Sequence, residues 1–105
     1  MIQVTEETRA GWCIVAVRGR ADAEAADALE AALRDAVQRH NRVAADLSAL
    51  DYVSSAGLRA LIQAAREAEG RRSEFAICSA TPPVKKVFDM SGLQQILKIQ
   101  GALPC

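Results

Sequence analysis

Aromatic side chains are scarce in this sequence: one Trp, one Tyr and two Phe among 105 residues. A core built around large rings is therefore excluded, and 21 Ala point instead to helices packed closely on a sheet. An excess of either charge is also missing, since 13 Lys+Arg face 13 Asp+Glu. With pI near 6.6 there is no basic field to hold a nucleic-acid backbone. The longest unbroken apolar run, Trp12 to Val17, is far shorter than the ~20 residues of a membrane helix. Met1 to Gly11 carries Glu6, Glu7 and Arg9 and lacks the apolar stretch of a secretory signal. A cytoplasmic protein without membrane insertion is expected. Cys13, Cys78 and Cys105 are odd in number and widely spaced, and His40 is the only histidine, which argues against a disulfide framework and a zinc site. The six Gly are scattered, so no glycine-rich phosphate loop exists, and no cofactor or metal is expected.

What is present is a globular composition: half the residues are apolar, a quarter are charged, and mean hydropathy is near zero. The length suits one domain, expected over residues 1–100 and followed by a loose tail, 101–105. Ile2 to Thr5 alternates as a half-buried strand does, and Thr8 to Gly11 reads as a turn before a second strand, Trp12 to Val17. After the break at Arg18 to Ala21, Asp22 is placed as the N-cap of a helix whose buried face carries Ala25, Leu29, Ala32, Leu33, Ala36 and Val37. Glu30 with Arg34 and Asp35 with Arg39 form i,i+4 pairs on its wet face.

Arg42 to Leu47 reads as a short strand, and Ser48 to Ser55 as a polar loop into a second helix through Leu58, Leu61, Ile62 and Ala65, with Gly70 at its C-cap. Phe75 to Cys78 is a strand. Thr81-Pro82 opens a third helix that stops near Ser91-Gly92, with Lys85 and Lys86 on its solvated face, and Ile96 to Ile99 is a last strand. Connections this long predict an α/β domain: a mixed sheet of about five strands, the first antiparallel and the rest largely parallel, with three to four helices mainly on one face.

A serine hydrolase is disfavoured because His40 falls at the end of the first helix, away from the serines at 54 and 55. Function is better sought where Asp46 to Leu58 leads from a strand into a helix. Ser55 falls at or beside the helix N-cap, where it can serve as a plain cap or accept a phosphate facing free N–H groups. Gly57 in the first turn costs roughly 1 kcal/mol against alanine, so something must approach its backbone closely.

Asp46-Leu47-Ser48, Tyr52-Val53-Ser54-Ser55-Ala56-Gly57-Leu58-Arg59-Ala60-Leu61 and Val84-Lys85-Lys86-Val87-Phe88-Asp89-Met90-Ser91-Gly92-Leu93 resemble the STAS family, in particular the bacterial anti-sigma factor antagonists. Gly19-Arg20-Ala21-Asp22 resembles a family turn that carries Glu and Leu where Arg20 and Ala21 stand here. The resemblance implies a non-catalytic switch whose unphosphorylated form binds an anti-sigma factor serine kinase and releases a sigma factor, with a serine phosphatase as a further partner. The serine two residues before the glycine, Ser55, is then the phosphorylation site. Ser54 is the alternative acceptor, because it replaces the acidic residue often found there. Asp22, Asp46, Ser54, Ala56, Gly57 and Arg59 are expected on the partner-binding surface, with the two aspartates flanking Ser55. The alternative function is a STAS module of a sensory scaffold or transporter complex in which Ser55 only caps its helix.

Overall fold

In a computed structural model, residues 2–92 and 98–100 are described. Strand β1 (Ile2–Arg9) turns into β2 (Trp12–Ala21), which is followed by helix α1 (Ala26–Arg39), β3 (Arg42–Val53), α2 (Ser55–Gly70), β4 (Glu74–Cys78), α3 (Pro82–Ser91) and β5 (Lys98–Gln100). The strands form a sheet in the order β1-β2-β3-β4-β5. The β1–β2 pair is antiparallel and the later pairs are parallel. Ile96 and Leu97 of the expected last strand, and the expected tail 101–105, lie outside the described residues. No described helix is long and apolar enough to cross a membrane.

The hairpin closes through Ala10 and Gly11, with φ of 52° and 84°, between the paired residues Arg9 and Trp12. Positive φ at both loop positions is the pattern whose twist matches two antiparallel strands.

One face of the sheet carries the main core. Val15 and Val17 of β2, Val43, Ala45 and Leu47 of β3 and Ile77 of β4 meet Leu29 and Leu33 of α1, Leu61 and Ala64 of α2, and Val84 and Phe88 of α3. All three described helices thus bury their apolar stripes on the same face. Alanines contribute to this core on both neighbouring helices, Ala36 on α1 and Ala60 and Ala64 on α2, all nearly inaccessible. Strand alternation sends Ile14, Ala44, Ala76 and Cys78 to the opposite face, where they form a smaller buried cluster with Trp12 against it. Cys13 and Cys78 are both buried, as small core residues.

Three sequence readings are corrected here. Asp22 does not cap α1: the helix starts at Ala26 with Ala25 at its N-cap, while Asp22 Oδ1 accepts the Ala25 N–H at 3.0 Å and fixes the turn that precedes the helix. Strand β3 does not end at Leu47 but runs to Val53 beside a β2 that reaches Ala21. The pairing carries register shifts between Ala16 and Arg18 and between Gly19 and Arg20, so extra β3 residues bulge out and the alternation that marks a strand is lost. Gly70 is the last residue of α2, with Arg71 as C-cap, and the left-handed position falls on Arg72 at φ 58°. Thr81 stands at the N-cap of α3, but its hydroxyl donates to the Leu50 carbonyl at 2.8 Å and so ties the helix start to β3.

Alanine in the left-handed region is strained, whereas Asn visits it readily and Asn-Gly suits this two-residue loop. Ala10→Asn is expected to stabilise the protein by up to about 1 kcal/mol. The check is the urea midpoint, which should rise at unchanged slope.

Candidate functional site

The carboxyl ends of β2 and β3 are aligned by the pairing of Ala21 with Val53, and α2 starts two residues later. Ser54 lies between strand and helix with extended backbone, at φ −86° and ψ 173°. Its N–H donates to the Ala21 carbonyl at 2.9 Å. Its hydroxyl donates to that same oxygen at 3.0 Å and accepts the Gly57 N–H at 3.1 Å. Ser54 is therefore the N-cap of α2. The hydroxyl satisfies one of the orphan donors of the helix start and also ties α2 to the neighbouring strand.

Gly57 is held against the same carbonyl. A Cβ on this residue would lie 2.7 Å from the Ala21 oxygen and 2.9 Å from Val53 Cγ2, too close for either to stay in place. The close approach inferred from a glycine in the first helical turn is thus made by the end of β2.

Ser55 is the first residue of α2 and exposed, and its hydroxyl has no hydrogen-bond partner among the described residues. Of the two positions left open for Ser55, at the N-cap or beside it, the structure has the second, because Ser54 is the cap. Ala56 is half-buried behind it. Arg59 is exposed and follows Ser55 by four residues, the spacing that places two side chains on one helix face. The first turn holds no acidic residue, so the positive end of the helix dipole is uncompensated there. Asp22 follows Ala21 directly and is half-buried at the same end of the sheet.

Asp46 is not at this site. It pairs with Ala16 and Cys78 in the middle of the sheet, seven residues before Val53, on the face away from the helices. Its Oδ1 accepts the Ser48 N–H at 3.0 Å where the β2–β3 register shifts. Together with Gln3, Thr5, Arg18 and Ser48 it lines a groove on that face. Burial, and then the Asp46 charge, push the Cys78 thiol up to about 11. The reading of Asp46 as the end of a short strand failed because β3 continues past it.

Two residues that the sequence did not single out as a pair belong near the site. Arg20 and Tyr52 are matched in the β2–β3 register, and the guanidinium lies over the ring at 4.4 Å from its centroid. Arg20 was visible as a departure from the family turn, but its partner was hidden by the bulge that brings Tyr52 opposite it. Tyr52 is 39% exposed, so the stack forms part of the surface. His40 and Ser55 lie beyond opposite ends of β3, which leaves the serine without a base from that residue.

Residues 1–103 match the STAS domain family, and the chain belongs to that family. It is similar to BtrV of Bordetella bronchiseptica, assigned as an anti-sigma factor antagonist, at 33% identity over 96% of this chain and 88% of that protein. It is also similar to the anti-sigma F factor antagonist of Paenibacillus polymyxa, at 29% identity over 93% of this chain and 86% of that protein. Among solved structures, an anti-sigma factor antagonist from Mycobacterium paratuberculosis superposes with TM-score 0.89 at 26% identity, covering 98% of this chain and 88% of that one. SpoIIAA in its unphosphorylated form has the same fold, with TM-score 0.72 at 19% identity over 98% and 90% of the two chains.

The two adjacent serines separate by stability. Ser54→Ala is expected to cost about 0.5–2 kcal/mol, whereas Ser55→Ala stays within about 0.5 kcal/mol of the parent. Gly57→Ala should cost about 1–3 kcal/mol as the strand end shifts to admit the methyl group. Denaturant midpoints read all three, and equal losses at the two serines would contradict the capping assignment.

Proposed function

We propose that this chain is an anti-sigma factor antagonist in which Ser55 accepts a phosphate. In its unphosphorylated form it binds an anti-sigma factor serine kinase and releases a sigma factor. Its role is that of a binding module and substrate; the partner supplies ATP and the catalytic groups. The observation that carries this reading is the division of labour between the serines. Ser54 has its hydroxyl committed to a strand and a helix. Ser55 presents its hydroxyl to solvent one residue away.

A phosphate on Ser55 would add about −1.5 to −2 charge at a helix N-terminus, where anions are stabilised, with Arg59 one turn further on. The fold can therefore carry the modification. A partner docked over Ser55 would have to desolvate a dianion, which is costly unless the partner holds matching charges. Of the two aspartates expected to flank Ser55, only Asp22 stands at this end of the sheet, since Asp46 is in its middle. Arg20, Tyr52, Asp22, Ala56 and Arg59 supply the remainder of the docking edge, and Tyr and Arg are residue types enriched at the centres of interfaces. The relatives named as antagonists, and a solved SpoIIAA described in its phosphorylated form, support the same reading.

With the partner kinase, ATP and magnesium, the chain is expected to gain one phosphate. The label should be lost in Ser55→Ala, retained in Ser54→Ala, and absent when the kinase is left out. In titration calorimetry against that kinase, Ser55→Glu should bind at least tenfold more weakly, about 1.4 kcal/mol, while Ser55→Ala keeps its affinity. Equal affinities of these two variants would overturn the switch and favour a scaffold module.

A further inference from the structure

At the end of the sheet remote from Ser55, three potential metal ligands converge from separate elements. Glu6 lies on β1, Cys13 near the start of β2, and His40 at the C-cap of α1. Their ligand atoms lie within 4.8 Å of one another. Sequence spacing conceals this cluster, because the hairpin brings Glu6 to Cys13 and α1 returns the chain to the same edge.

A cation already sits among these groups. Arg39 Nη2 lies 2.8 and 2.7 Å from the two Glu6 oxygens, and Nη1 lies 3.3 Å from His40 Nε2. A guanidinium has no acceptor, so a hydrogen bond at this contact requires an imidazole lone pair on Nε2 directed into the cluster. The Cys13 Sγ is 3.6 Å from Glu6 Oε1 and completes the set from the buried side. The Arg39 hydrogen bond holds the Glu6 carboxyl below its usual range, whereas burial pushes the Cys13 thiol up to about 11. Arg39 itself is exposed and has a second partner, Asp35 at 2.9 Å, to which it can remain bound if it leaves Glu6.

We propose that Glu6, Cys13 and His40 form a binding site for a thiophilic divalent cation of the zinc type, for which the Arg39 guanidinium is the resident substitute. One carboxylate oxygen, one imidazole nitrogen and one thiolate match the ligand preferences of Zn²⁺, with water as a fourth ligand. Binding forms the S–Zn bond, releases the Cys13 thiol proton to solvent, and moves Arg39 off Glu6. The site joins β1, β2 and the end of α1 and is independent of the Ser55 reading.

The test is competition for Zn²⁺ against a chromophoric chelator, with the full chain carrying Cys105→Ser so that Cys13 and Cys78 are the remaining thiols. One equivalent of Zn²⁺ should bind. His40→Ala and Cys13→Ser should each weaken binding at least tenfold, and Arg39→Ala should tighten it at least threefold by removing the competing cation. If Cys13→Ser does not fold, His40→Ala at the helix end and the thiolate charge-transfer band of the Co²⁺ form decide the question. No saturable binding, affinity unchanged in His40→Ala, absence of that band, or no tightening in Arg39→Ala would each overturn the proposal.

Discussion

The carbonyl of Ala21 is the point at which two strands and a helix are held together. It accepts both the N–H and the hydroxyl of Ser54, and it lies where a side chain on Gly57 would have to go. These contacts fix the direction in which α2 leaves the sheet. A buried carbonyl must be satisfied, and here one serine does so while capping the helix. The helix can approach this closely only because residue 57 has no Cβ. What had the appearance of a helix-weakening glycine is the condition for seating the first turn against β2.

That seating depends on the length of β2 and β3. Both strands must extend to Ala21 and Val53, and the register shifts absorb the extra residues of β3 along the way. The first irregularity leaves the Ser48 N–H to the Asp46 carboxylate, and the second brings Tyr52 opposite Arg20. The bulges therefore set which side chains reach the edge where α2 starts. A regular ladder of the same sequence would shift Tyr52 and Val53 relative to Ala21 and separate the cap from its acceptor.

Legibility in the sequence followed local chemistry. The hairpin turn was readable only as lying within Thr8 to Gly11, since Thr8 and Arg9 belong to β1, whereas the Pro82 entry to α3 and the Gly92 stop, left-handed at φ 68°, were readable because each rests on the backbone preference of one residue. The parallel order of the strands followed from the length of their connections. The second half of β3 was not readable, since bulges destroy the period of two on which strand recognition rests. Misplacing Asp46 followed from that error. The choice between Ser54 and Ser55 as cap could not be made from spacing either, because Ser54 bonds to a carbonyl 33 residues earlier and the helix boundary shifts by one.

Two adjacent hydroxyls at one helix start allow stability and regulation to be separated. Were Ser54 the phosphate acceptor, modification would remove the cap, leave the Ala21 carbonyl short of a donor, and force a dianion into a half-buried position. The cost would fall on the fold itself. A phosphate on Ser55 meets none of these constraints: the side chain is exposed, the cap is already provided, and the local field is positive. In a protein of zero net charge, added negative charge at this edge is also a large relative change in the field a partner meets. The same geometry thus makes Ser55 modification inexpensive for the folded chain and consequential for whatever docks on it.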